Sequence, residues 1–244
     1  MNGVVELTDA TVERSGQRVV HGVTLTVSPG SWFGLIGANG SGKTSLLRAL
    51  AGRLPLAGGS CRVDGEELAD DRNGRALRFG FSPPADKLPD ALRGRDILEL
   101  IGGDMGDVHH RLSTLQEALG LPPLLDRWIG DCSAGMRQRI AIAAAFAGGH
   151  HHVILDEPFN WLDPVATFDL RRALRDMVVR GLTLITALHD LGTLASACDA
   201  GLMLADGKVA VALGEDILRV AAQNPQAFEQ QTIDRLRSGS VAPS

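Results

Sequence analysis

The 244-residue chain has no tyrosine, few aromatic residues of any kind (4%) and three cysteines, Cys61, Cys132 and Cys198. Scattered thiols, odd in number and without metal-type pair spacing, argue against a disulfide framework and for reduced thiols in a cytosolic compartment. Long apolar runs are missing too. The longest, residues 140–147, has eight members, against about 20 for a membrane-spanning helix. The opening MNGVVELTDATVE carries acids early and lacks a basic stretch ahead of an apolar one, so it does not read as a secretory signal. Nor is there a basic block. With 24 Lys and Arg against 29 Asp and Glu, net charge −5, the expectation is no nucleic-acid partner.

What is present is a chain with 44% apolar residues and 29 glycines, long enough for one or two domains of about 100–200 residues. Alternations at 4–7 and 19–27 predict strands, and 32–36 is a short apolar strand. A glycine-rich loop and a helical stretch over 44–54 follow. From 83 to about 130 the apolar spacing becomes helical (Ile97, Leu98, Ile101; Leu112, Leu115, Leu119). Strand patterns return at 153–155, 182–186 and 202–204, separated by helical patterns at 165–179 and 191–198. Strands alternating with helices predict an α/β fold with a parallel sheet covered on both faces, and the block from 83 to 130 reads as an inserted helical subdomain.

Gly37-Ala38-Asn39-Gly40-Ser41-Gly42-Lys43-Thr44 matches G-x-x-x-x-G-K-[ST], after a strand and at the start of a helix. Glycines let the backbone wrap close to phosphate oxygens and aim its amides at them, and the helix N-terminus adds positive potential. Lys43 suits the β- and γ-phosphates; the Thr44 hydroxyl suits Mg²⁺. The loop fixes neither reaction nor substrate, since kinases, GTPases and motor ATPases share it.

Residues 153–158, Val-Ile-Leu-Asp-Glu-Pro, form an apolar strand ending in two carboxylates that point in different directions. Asp156 is the expected Mg²⁺ partner and Glu157 the group that orients or deprotonates a water attacking the γ-phosphate. Between loop and carboxylates lies Cys132-Ser133-Ala134-Gly135-Met136-Arg137-Gln138-Arg139, ahead of an alanine-rich helix; by itself this reads as a helix cap. Adjacent histidines at 150–152 on an extended segment point apart and read as a solvated loop rather than a metal site.

In order and spacing these segments resemble the nucleotide-binding subunit of ATP-binding-cassette (ABC) transporters, over nearly the whole chain. GANGSGKT is similar to the family's phosphate loop, CSAGMRQR to its signature LSGGQ, ILDEP to the strand with the catalytic glutamate, and Asn160-Trp161-Leu162-Asp163-Pro164 to its D-loop. His189 stands where the family has its switch histidine. The resemblance implies a P-loop NTPase core with a parallel sheet, an N-terminal antiparallel β subdomain and an inserted α-helical subdomain. It implies one domain over 1–237, with the ATP-binding core at 1–82 and 150–215, the helical subdomain with the signature at 83–149, and a flexible tail at 238–244.

It also implies Mg²⁺-dependent ATP hydrolysis powering a separately encoded membrane permease, on the inner face of the cell membrane. A head-to-tail pair, of identical copies or with a second ATPase subunit, would sandwich two ATP molecules. Residues 37–45 (Gly37 through Thr44, and Ser45) would hold one nucleotide, Ser133 and Gly135 would reach it across the interface, and Asp163 would join the binding site. Lys43, Glu157 and His189 would be catalytic, and Thr44 and Asp156 metal-binding. The signature, the D-loop and the short helical block lean toward exporter-type subunits over importers, and 90–100 is the expected receiving surface for the permease. The alternatives are a non-transport ABC-class ATPase and a catalytically weak partner subunit.

Three departures from the family pattern bear on these expectations. The stretch 13–19, Glu-Arg-Ser-Gly-Gln-Arg-Val, lacks the usual adenine-stacking aromatic, leaving Arg14 or Arg18 as candidate platforms. Pro84 takes the place of the Q-loop glutamine and offers no side-chain oxygen; either water or Asp86 fills that role. Finally, the signature carries Cys132 and Ala134, and Trp161 occupies a small D-loop position, as interface anchor or by local packing.

Overall fold

The computed structural model describes residues 4–238. Valine-rich β1 (Val5–Arg14) and β2 (Gln17–Val27) form a hairpin whose turn, Ser15-Gly16, takes positive φ at both residues (50° and 76°). That backbone matches the right-handed twist of the paired strands. Then come β3 (Trp32–Ile36), α1 (Lys43–Leu50), β4 (Gly58–Val63), β5 (Glu66–Glu67), α2 (Arg72–Arg78) and β6 (Phe79–Phe81). The helical block holds α3 (Gly94–Gly102), α4 (Met105–Leu112), α5 (Leu115–Ala118) and α6 (Pro122–Leu125). After it, α7 (Ala134–Ala147), β7 (His152–Asp156), α8 (Pro164–Val179), β8 (Thr183–Leu188), α9 (Leu191–Ala197), β9 (Ala200–Ala205) and β10 (Lys208–Leu213) return the chain to the sheet. Two helices, α10 (Glu215–Gln223) and α11 (Pro225–Ser238), end it and pack on α9.

Two sheets result. The first is antiparallel, in the order β2-β1-β4-β5; the second runs β10-β9-β3-β8-β7-β6, parallel except for the β10 edge. Alternation along the central strands feeds two cores. Val153, Leu155 and Leu184 join α7 and the helical block in one apolar cluster. Ile154 and Ile185 join α1 and the antiparallel sheet in the other. Helix α7 is buried on nearly every side, so the helical block shares its core with the parallel sheet rather than owning a separate one.

Several expectations need correction. The first helix stops at Leu50, not 54, because Gly52 takes φ 67° and packs against the Arg72 carbonyl, where a Cβ would sit at 2.2 Å. The three histidines do not share a solvated loop: His152 is buried in β7, with its Nε2 3.0 Å from Asp64 Oδ1. No expectation covered the β4–β5 pair, α2, β10, α10 or α11. The expected tail at 238–244 falls outside the described residues apart from Ser238, the end of α11. Among the described residues no helix is long and apolar enough to cross a membrane, and all three cysteines are buried and free.

Candidate functional site

The loop after β3 reaches α1 through Gly42, which holds φ 102°. An added Cβ there would lie 2.8 Å from the Val19 carbonyl oxygen, so only glycine fits without strain. The first helical hydrogen bond, Leu46 N–H to Gly42 O at 2.9 Å, leaves the earlier amides of α1 outside the helical ladder and aimed along the loop. No side chain caps this end. Lys43, 4% exposed, folds back to donate to the carbonyls of Gly37 (2.6 Å) and Ala38 (3.3 Å). Burial lowers its pKa, and the charges of Glu157 and Asp156 oppose that shift.

Two further observations fit a polyphosphate with a divalent cation. Ser41 Oγ, in a residue 5% exposed, is buried without a hydrogen-bond partner beside the loop, an arrangement that a bound anion would satisfy. The Thr44 hydroxyl donates to Asp156 Oδ1 at 3.2 Å, bringing together two oxygen donors of the kind Mg²⁺ prefers. Burial raises the pKa of Asp156; the Thr44 hydrogen bond opposes this and the neighbouring Glu157 charge adds to it. The site residues therefore fit the metal ion.

Glu157, at the end of β7, occupies the left-handed region (φ 54°). Its amide donates to Ala187 O at 3.2 Å, and its carbonyl accepts from the Gln138 amide at 3.2 Å. This clamp turns the carboxylate toward the loop, where Oε2 meets His189 Nε2 at 2.7 Å and the Asn160 side-chain amide at 2.8 Å. A strained non-glycine backbone held from both sides is the pattern seen at reacting centres. Gln138 and Asn160 carried no assigned role in the sequence. Gln138 is detectable afterwards as a buried polar residue inside an otherwise apolar helix, and Asn160 as the side chain one turn beyond Glu157.

Three cavities meet at the loop. One of about 660 Å³ joins residues 39–45 to Arg14, Val19 and Glu157. One of about 450 Å³ joins Thr44, Asp156 and Glu157 to Pro84, Asp86 and Trp161. The third, about 700 Å³, joins residues 37–41 to His189. Thus Gly37 through Ser45, Asp156, Glu157 and His189 come together.

Ser133, Gly135 and Asp163 lie outside these cavities. Ser133 caps α7 by accepting from Met136 N–H at 3.3 Å. Asp163 caps α8 by accepting from Ala166 N–H (2.9 Å) and faces Arg139 at 3.3 Å; the backbone hydrogen bond is the main cause of its lowered pKa. Gly135 sits under the Trp161 carbonyl, which would lie 2.6 Å from a Cβ. Trp161 itself is 74% exposed with φ 65°, so it does not owe its place to burial. Asp86 is largely exposed and lies 3.4 Å from Lys87 Nζ.

A family model described as "ABC transporter" matches residues 20–160. An ABC transporter ATP-binding protein of Halobacterium salinarum is 34% identical over 206 residues, covering 82% of this chain and 89% of that protein. Mouse ATP-binding cassette sub-family A member 7 is 31% identical over 211 residues, 84% of this chain, which spans 10% of that much longer protein. Further relatives are named for import and others for export. Among solved structures, the ATP-binding subunit of an ABC transporter superposes with TM-score 0.80 at 26% identity, covering 96% of this chain and 98% of that one.

Proposed function

The chain belongs to the ABC transporter ATP-binding family and is an ATPase of the transporter type, and from that premise we propose that it hydrolyses Mg²⁺-ATP to drive a separately encoded membrane permease. Supporting this most directly is the Glu157 carboxylate, held between His189 and Asn160 beside the phosphate loop. Lys43 and the loop amides neutralise and orient the β- and γ-phosphates. Glu157 accepts a proton from the attacking water, and His189, hydrogen-bonded to that same carboxylate, reports whether a γ-phosphate is present. Thr44 and Asp156 hold Mg²⁺, which supplies positive charge against the phosphate oxygens.

Ser133, Gly135 and Asp163 do not line the cavities at the chain's own loop. They fit a second ATPase chain's nucleotide, so the working unit is a pair, with Trp161 at its exposed edge. The surface formed by 90–100 receives the permease, which places the chain at the inner face of the membrane. Exporter-type coupling is the direction we favour, on the signature, the D-loop and the short helical block. One domain over 1–237, with 1–82 and 150–215 as nucleotide core and 83–149 as helical arm, suits this division of labour.

The test is turnover by the purified chain beside Glu157→Gln, with size measured with and without ATP. We expect a loss of about 10²–10⁴-fold with ATP binding retained and an ATP-dependent dimer. Equal turnover in the two proteins would refute the assignment of Glu157.

A further inference from the structure

A cleft of about 280 Å³ lies between α8 and α9, with fully buried Trp32 as its floor. Phe168, Arg171, Arg172 and Arg175 wall it on the α8 side and Ser196 on the α9 side. None of these residues lines the three cavities at the phosphate loop. Positions 168, 171, 172 and 175 fall on one face of the helix, while Leu170, Ala173, Leu174 and Val178 take the buried side. In a chain of net charge −5, a cleft with three guanidiniums and no carboxylate in its lining reverses the local sign.

The three arginines are not equivalent. Arg175 is neutralised where it stands. It donates to both carboxylate oxygens of Asp199 (2.9 and 3.0 Å) and to Ala197 O, with its guanidinium 5.7 Å from the centre of the Trp32 ring. Arg171 makes only a long approach, 3.5 Å, to Ser196 Oγ, whose own hydroxyl is donated to Gly192 O at 2.7 Å. Arg172 is exposed, and among the described residues it has no hydrogen bond or ion pair. Asp169 and Asp176, exposed on the adjoining side of α8, do not line the cleft. Next to these two unpaired charges Phe168 leaves 60% of its surface in solvent.

We propose that this cleft is a second ligand site, separate from the nucleotide loop, for a small phosphate monoester carried on a flat apolar group. A phosphate monoester brings nearly two negative charges and three acceptor oxygens. Arg171 and Arg172 answer with two free guanidiniums, each a fork that can meet two oxygens at once. Phe168 offers an open ring against which the apolar part can stack. The volume is at the small end of the range for small-molecule sites, about 300–1,000 Å³, which suits one ring with its acid group. A bound molecule would tie α8, which starts beyond Asp163, to α9, which starts beyond His189 and Asp190.

The experiment is isothermal titration of phenyl phosphate into the full chain, with and without excess Mg²⁺-ADP. Benzoate and inorganic phosphate are the comparison probes. One site is expected, with a Kd of about 1 mM or tighter, and Mg²⁺-ADP leaves it unchanged. Benzoate has one charge and inorganic phosphate has no ring, so each binds about tenfold more weakly. Replacing both arginines, Arg171→Gln with Arg172→Gln, weakens phenyl phosphate by about tenfold or more. Phe168→Ala weakens it by about three- to tenfold and leaves inorganic phosphate unchanged. Arg180→Gln removes a charge from the end of the same helix, outside the cleft, and alters the Kd by less than about twofold.

Absence of binding up to about 10 mM phenyl phosphate overturns the proposal. So does displacement by Mg²⁺-ADP, which would put the probe at the phosphate loop. An equal loss in Arg180→Gln and in the double variant would reduce the site to general surface charge. Inorganic phosphate or benzoate binding as tightly as phenyl phosphate would strike the ring or the phosphate from the ligand's chemistry and refute the class assigned. Hydrolysis is not read in any arm, so the result stands apart from the ATPase reading.

Discussion

Replacing Arg75 with methionine tests how the nucleotide-binding helix is anchored at its far end. Arg75, in α2, is completely buried. Its acceptors are four main-chain carbonyls: Nε donates to Ala49 O at 3.0 Å, Nη2 to Leu54 O at 3.3 Å, and Nη1 to Leu68 O and Ala69 O. Ala49 ends the last turn of α1, so the guanidinium closes the helix whose first turn holds the phosphate loop. The two fully buried bonds, to Ala49 and Leu68, are charge-assisted, at about 1.5–3 kcal/mol each. Methionine fills similar space. Ala49 and Leu68 keep one amide donor apiece, from Gly52 (3.0 Å) and Asp71 (3.1 Å), so neither carbonyl is orphaned.

Removing a buried cation also returns part of its desolvation cost, the same burial that lowers the pKa of Arg75. The net loss is about 2–3 kcal/mol, and for a chain of this size Tm falls by about 5–10 °C. Arg75→Lys should be worse than methionine, since it keeps a buried charge and cannot reach four carbonyls. Thermal unfolding followed by circular dichroism, without nucleotide and at one protein concentration, gives the answer. A methionine variant within about 2 °C of the parent, or a lysine variant restored to it, would refute the anchoring role.

Two further outcomes follow from the loop and its surroundings. Gly42→Ala puts a Cβ 2.8 Å from the Val19 carbonyl oxygen at φ 102°, strain of about 1–3 kcal/mol that the loop can relieve only by moving; nucleotide Kd should rise about tenfold or more, and an unchanged Kd would show that the loop tolerates the side chain. Asp86→Ala should leave the Mg²⁺ half-saturation of turnover within about twofold, because an exposed carboxylate beside Lys87 contributes little. A rise of tenfold or more would instead make Asp86 the stand-in for the side-chain oxygen that Pro84 lacks.

Much of the architecture was legible before folding because it is written in local terms. A loop spelled by glycines and a lysine, an apolar strand ending in two acids, and the periodicity of α8 each depend on neighbours in sequence. The elements that were missed are short or half-exposed. β5 has two residues and takes its register from Arg62 and Val63 across the turn. His152 was misread because adjacent histidines on an isolated segment point apart, whereas here the strand buries one against Asp64 and Phe79.

By itself, then, the sequence determined the chemistry available: which oxygens, amides and cations stand within one loop or strand end, and the cassette family they resemble. Tertiary structure alone decided which of them meet. Thr44 and Asp156 are 112 positions apart and touch only because β3 and β7 flank β8 in one parallel sheet. The carboxylate of Glu157 is aimed by Gln138, from a helix that crosses back to the sheet, and by His189 at the end of β8. Side-chain identity is carried by each residue; direction and distance come from the packing of elements far apart in the chain.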